Sequence, residues 1–147
     1  MYSAARQAKP ALTSVAVTAL DAEIIAELKT VSHRAEFFPS LLREAEHDMV
    51  RCVQHILEAL EKRQHGAVRD AAHALKGVSG SVGAVRVYAL ASSLMATPGD
   101  DLDRSAERWA ADVSEALRIT IAALRREIEA AGNAAESSSG SPSLHFR

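Results

Sequence analysis

The spacing of apolar residues between positions 37 and 60 constrains the fold more than any other feature of the chain. Apolar side chains recur there every three or four residues, which is the spacing of one face of an α-helix. They are Phe37, Phe38, Leu41, Leu42, Ala45, Met49, Cys52, Val53, Ile56, Leu57 and Leu60. The pattern predicts a helix over about residues 35–63, with Pro39 near its start, where a missing N–H is tolerated. Such a helix must bury its apolar face against other helices.

Further segments show the same helical spacing. They are a short segment that Asp21 caps and that runs to about residue 31, and segments at about 67–82, 85–95 and 100–131. Their expected boundaries are His65-Gly66, Gly83, the turn Thr97-Pro98-Gly99, the acidic start Asp100, Asp101 and Asp103, and Gly132-Asn133. No useful stretch alternates apolar and polar residues, so no strand is predicted. Because short connections make helices antiparallel neighbours, we expect an all-α, antiparallel up-and-down four-helix bundle, with the short N-terminal helix across one end.

The folded domain is predicted over residues 18–131. Residues 1–17 have no sustained period and contain Pro10, which indicates a flexible N-terminal tail or linker. Residues 132–147 are aperiodic and contain serine, glycine and proline, which predicts a disordered C-terminal tail.

Charge and composition argue against several classes of protein. The formal net charge is −2, which offers no basic field for nucleic acid. No apolar run approaches the roughly 18–20 residues that a membrane span needs, and residues 1–10 lack the apolar segment of a secretory signal. The single cysteine, Cys52, permits no internal disulfide, and its place on the apolar face of a helix predicts a core residue. A cytoplasmic setting fits these features.

Residues 71–84 combine a solvent-facing histidine with several glycines. On a helical wheel His73 lies about 160° from the inward Leu75. The residues that surround it on that face are Arg69, Lys76, Gly77 and Gly80. A glycine inside a helix costs about 0.5–1 kcal/mol relative to alanine, and a core does not need glycines on its solvent face. Close approach by another molecule does need them. The segment therefore indicates a nucleophilic or phosphate-accepting histidine that a partner reaches; the alternative is an ordinary surface histidine on a poorly formed helix.

This segment resembles the signature of histidine-containing phosphotransfer (Hpt) domains. The family pattern is His-x-Leu-Lys-Gly, then a small residue, and a glycine ten positions after the histidine. Here the pattern falls on His73, Leu75, Lys76, Gly77 and Gly83. The resemblance extends over about residues 20–128 and implies the same helical bundle. It also implies that His73 accepts a phosphoryl group from the aspartyl phosphate of a response-regulator receiver domain and passes it to another receiver.

The resemblance implies roles for the residues around His73. Lys76 offsets the charge that builds on the phosphoryl oxygens, as cations do in phosphoryl transfer generally. The expected docking surface for receivers comprises Gly77, Gly80, Gly83 and Ala84, together with Arg69, which the family pattern does not require and which is otherwise a solvated surface residue. In the family, Mg²⁺ and the acidic residues that hold it belong to the receiver. The chain shows no histidine or acidic spacing typical of a metal site and no ATP-binding motif, so we expect no cofactor, no metal and no enzymatic turnover of its own.

Two further runs, Gly77-Val78-Ser79-Gly80 and Leu94-Met95-x-x-Pro98, resemble Hpt modules at the C-terminal end of hybrid sensor histidine kinases of the diffusible-signal-factor type. That resemblance implies a chain at the cytoplasmic end of a membrane-bound kinase, with receivers in the same polypeptide. A free-standing phosphotransfer protein is equally compatible with the sequence. Two other functions stay open: an interaction module that docks or sequesters a receiver without transfer, and a structural bundle that dimerises. The mixed charges on the outer helix faces argue against the second.

Overall fold

The computed structural model describes residues 18–140, with side chains described through residue 137. This part of the chain forms helices and no strands. The helices are α1 (Ala22–Val31), α2 (Phe37–Glu61), α3 (His65–Ser81), α4 (Val85–Ala96), α5 (Gly99–Arg104) and α6 (Ala106–Gly140). The predictions for residues 1–17 and 141–147 lie outside the described residues.

Four of these helices pack in a ring. Helix α2 lies against α3 and α6, and α4 lies against the same two helices from the other side. Their apolar faces meet in one core, in which Leu42, Met49, Ile56, Leu75 and Leu94 are fully buried. Burial of large aliphatic side chains of this kind contributes about 1.5–3 kcal/mol each. The predicted all-helical bundle is therefore confirmed.

Helix α1 lies against one end of this bundle, as the sequence predicted. Its N-cap is Asp21, whose carboxylate accepts hydrogen bonds from the backbone N–H groups of Glu23 and Ile24 at 2.9 and 3.3 Å. The N–H of Asp21 itself donates to the carbonyl oxygen of Gly83, at 2.8 Å, in the turn between α3 and α4. One residue of α1, Ile25, enters the core. The cap and the turn therefore fasten α1 to the end of the bundle.

The start of α3 differs from the prediction. The sequence placed a helix stop at His65-Gly66, but these residues form the first turn of α3. The reversal occurs earlier, where Arg63 has a φ of 56°, and the N–H of Gln64 donates to the carbonyl of Ala59 at 2.9 Å. Glycine is the usual residue for this left-handed conformation, and here arginine adopts it instead, which is why the pattern was misleading.

The last predicted helix is two helices. The apolar spacing runs unchanged from Leu102 to Trp109, so no sequence signal marks the break at Ser105 between α5 and α6. Helix α5 is held by a contact from elsewhere in the chain: His65 Nε2 lies 2.9 Å from Asp103 Oδ1. The contact joins the start of α3 to α5, and such a long-range pair has no local pattern.

Helix α6 also continues past its predicted end. It passes through Gly132-Asn133 and extends through Gly140, the last described residue. The sequence around the glycine is rich in alanine, the strongest helix former, whereas one interior glycine costs only about 1 kcal/mol. The prediction that Gly132-Asn133 ends this helix is therefore wrong.

Candidate functional site

His73 lies in the middle of α3, on its solvent side. The core holds the opposite side of the helix, where Val68, Ala72 and Leu75 are fully buried. Because these three residues fix the rotation of α3, His73 and its neighbour Ala74 are exposed. The outward position of His73 that the helical wheel predicted is thus present in the structure. Its imidazole is open to a second molecule.

Lys76 follows one helical turn after His73. Its side chain is half-buried because it leans toward α4, where its Nζ lies 5.5 Å from the centroid of the Tyr88 ring. This distance is within the roughly 6 Å at which an aromatic face attracts a cation. Among residues 18–137, no carboxylate forms an ion pair with Lys76. The positive charge near His73 is therefore held in place without being neutralised.

The two glycines that follow have different surroundings. A Cβ built on Gly77 would meet nothing within 4 Å, so the surface beside His73 is open there. A Cβ on Gly80 would lie 3.3 Å from Cε2 and 3.4 Å from Cδ2 of Tyr88. The surface at Gly77 is thus unobstructed. Gly80 instead makes room for an aromatic ring of the protein itself.

Three of the predicted docking residues, Arg69, Gly83 and Ala84, are engaged in contacts within the protein. Arg69 Nη2 donates a hydrogen bond to the carbonyl oxygen of Thr97 at 3.1 Å, which ties α3 to the end of α4. Gly83 and Ala84 are buried in the turn between these helices, and Ala84 has no exposed surface. A buried residue does not contact a docked partner, so the structure removes Gly83 and Ala84 from the predicted docking surface.

Gly83 has a structural task instead. Its φ is +70°, a conformation that side chains rarely adopt, and a Cβ there would lie 3.1 Å from the Cβ atoms of both Asp21 and Ile24. This glycine is needed for the turn and for the approach of α1. Gly83 also belongs to the sequence signature, so this signature position has a role in the fold and not in contact with a partner.

Sequence reasoning missed Tyr88. The residue lies on α4, is 41% exposed, and contacts both Lys76 and Gly80 of α3. The gap that Gly80 leaves four residues after Lys76 was a signal, since a neighbouring helix could fill it. Only the packing of α3 on α4 identifies which residue does so.

The described residues also bear on three other features: a metal site, a reactive thiol and a membrane span. In residues 18–137 no group of three or more His, Cys, Asp or Glu side chains is arranged to hold a metal ion. Cys52 is half-buried, and this burial raises the pKa of its thiol, which disfavours the reactive thiolate. The helices found in residues 18–140 include none with the length and apolar character of a membrane span.

Comparisons with known proteins agree with this architecture. A solved structure, histidine-containing phosphotransfer protein B (HptB) from Pseudomonas aeruginosa PAO1, matches with a TM-score of 0.58 and 24% identity, over 76% of this chain and 95% of that chain. At this identity the likeness shows the fold alone. Comparison with curated proteins gave no match. The sequence model of the Hpt domain matches residues 40–134, which is more than half of the chain and includes all of α3 with His73. The chain therefore belongs to the Hpt domain family of histidine phosphotransfer modules.

Proposed function

We propose that His73 is the phosphorylated residue of this module, and that it relays phosphoryl groups between receiver domains. The observation that carries the proposal is the exposed imidazole of His73 beside the open surface at Gly77. An aspartyl phosphate lies in a pocket of its receiver, so a histidine must project to reach it. A helix face without bulk around the imidazole allows that approach.

The transfer itself needs a nucleophile and little else from this chain. A neutral imidazole has one nitrogen with a free electron pair near pH 7. That nitrogen forms a P–N bond while the P–O bond to the aspartyl carboxylate breaks, and the carboxylate leaves with the electron pair of that bond. The other ring nitrogen keeps its proton, so the phosphorylated ring carries a positive charge. The reverse sequence of bonds passes the group to a second receiver.

Lys76 supplies electrostatic stabilisation in this proposal. The phosphoryl oxygens carry negative charge throughout the transfer, and a fixed cation nearby lowers the energy of that charge. Its ammonium makes no ion pair among residues 18–137 and is therefore free to interact with them. We assign no cofactor to this chain. The Mg²⁺ of the reaction, with the acidic residues that bind it, belongs to the receiver.

The docking surface of the proposal is smaller than the one expected from the sequence. It comprises His73, Lys76, Gly77 and the exposed Ala74. The receivers that use it are separate cytoplasmic proteins or domains of a hybrid kinase in the same polypeptide. Profiling of transfer against the receivers of the source organism distinguishes these two cases.

The test is transfer from a receiver that acetyl phosphate has phosphorylated. We expect the chain to gain a phosphate that is labile in acid and stable in base, as a phosphohistidine is. His73→Gln should lose it, whereas His55→Gln, a matched change of an exposed histidine on α2, should keep it. Equal labelling of the His73→Gln variant would refute the assignment. Receiver binding by a chain that never accepts phosphate would indicate a docking module instead.

A further inference from the structure

We infer that Tyr88 is a positioning residue for the transfer, because its ring holds the ammonium of Lys76, which lies one helical turn after His73. The inference rests on the proposed function of His73 and extends it to a residue on a different helix. Three observations on α3 and α4 support it: the position of the ring, the charge that it holds, and the glycine that admits it.

The ring of Tyr88 packs against α3 at Gly80. Its Cε2 and Cδ2 atoms approach to 3.3 and 3.4 Å of the place where a Cβ of Gly80 would be. A Cβ at position 80 would be in tight contact with the ring, which would have to shift by a few tenths of an ångström to admit it. The absence of a side chain at Gly80 therefore lets the ring pack closely against α3, four residues after Lys76.

The ring face then acts on Lys76. The Nζ atom lies 5.5 Å from the ring centroid, and the negative face of an aromatic ring attracts a cation at this distance. A carboxylate in the same place would neutralise the ammonium, whereas a ring keeps its full charge available to phosphoryl oxygens. Tyr88 thus holds a cation without cancelling it, which suits a residue that must meet an anion.

Holding Lys76 also lowers the cost of using it. A lysine side chain has four rotatable bonds, and confining it to one rotamer costs conformational entropy. Lys76 lies three residues after His73, so the two side chains start from adjacent turns of one helix. A ring that restricts Lys76 before the phosphoryl group arrives leaves less entropy to lose during transfer.

The rate test uses phosphoramidate as the donor, so that no receiver has to dock. In this reaction an imidazole nitrogen of His73 forms the new P–N bond, and the P–N bond of the donor breaks to release ammonia. Tyr88→Leu removes the ring face and should slow phosphorylation about two- to fivefold, the factor that corresponds to a cation–π contact at an exposed site. Tyr88→Phe keeps the face and should retain most of the rate.

The control and the double variant separate positioning from a general effect. Phe37→Leu changes an aromatic residue of similar exposure on α2 and should leave the rate unchanged. Lys76→Gln should slow the reaction, and Tyr88→Leu should add nothing in that background, because the ring then has no cation to hold. Far-ultraviolet circular dichroism checks that each variant keeps its helices.

The contact itself has a separate readout. In a protein with isotope-labelled lysine, the ring current of Tyr88 should shift the Cε protons of Lys76 upfield. The shift should persist in Tyr88→Phe and disappear in Tyr88→Leu. An unshifted Lys76 in the unmodified protein would overturn the inference, as would additive slowing by the Tyr88→Leu and Lys76→Gln changes. If His73 accepts phosphate normally in either case, the proposed function stands; if it never accepts phosphate, both fail.

Discussion

Replacing Gly77 by alanine should make the protein more stable and make it a poorer partner for receivers. The new Cβ meets nothing within 4 Å, and Gly77 is an interior residue of α3. The change therefore brings the helix propensity of alanine without a clash, which is worth about 0.5–1 kcal/mol. For a chain of this size, a gain of 1 kcal/mol raises the midpoint of thermal unfolding by about 2–4 °C.

The same methyl group should hinder docking, because the proposal brings a receiver directly against Gly77. Overpacking of a tight contact costs about 1–3 kcal/mol, so the receiver should bind about fivefold more weakly or worse. The assay is transfer to His73 at increasing concentrations of phosphorylated receiver, together with thermal unfolding followed by circular dichroism. The expected result is a higher unfolding midpoint combined with a higher receiver concentration at half-maximal rate.

Gly132→Ala is the matched control for this prediction. A Cβ on Gly132 also meets nothing within 4 Å, but the residue lies in α6, outside the proposed docking surface. It should not weaken transfer. Equal weakening by the two variants would show that the effect is not local to His73. Unimpaired transfer by Gly77→Ala would refute the idea that Gly77 exists to admit a partner.

Three further changes test the scaffold. Gly83→Ala should lower the free energy of unfolding by about 1–2 kcal/mol or more in urea titrations, because its φ of +70° is unfavourable for alanine and the new Cβ crowds α1. Gly99→Ala should lower the urea midpoint, because its Cβ would overlap the His65 ring and break the contact with Asp103; an unchanged midpoint would show that this contact adds no stability. Thr120→Val should raise the free energy of unfolding by about 1–3 kcal/mol, because the buried Oγ1 of Thr120 has no hydrogen-bond partner among the described residues; a decrease would show that the hydroxyl is satisfied.

The sequence predicted those parts of the molecule that depend on one helix at a time. Apolar spacing located α2 and the buried face of α3, and the rotation of α3 then placed His73 outside. The spacing of apolar residues locates a helix and its buried face because each helix of the bundle packs one face against the other helices. The position of Asp21 as an N-cap was equally visible, since a cap is a contact between residues close in the chain.

The missed features depend on contacts between helices or on rare local conformations. The contact of Tyr88 with Lys76 joins α3 to α4. The hydrogen bond of Arg69 to the carbonyl oxygen of Thr97 joins α3 to the end of α4. Arg63 adopts a backbone conformation that favours glycine, which misplaced the start of α3. Neither kind of feature has a repeating pattern to recognise.

Helix α1 packs on the α3–α4 turn, so the folded bundle includes more residues than the segment that identifies the family. The family match begins at residue 40, inside α2, and leaves out the whole of α1. A fragment cut at that point would lose Ile25 and Phe38 from the core and the partner of the Gly83 carbonyl. Anyone who transplants this module into another relay protein should therefore place the junction before Ala19, which is buried, because this segment and α1 close the end of the bundle.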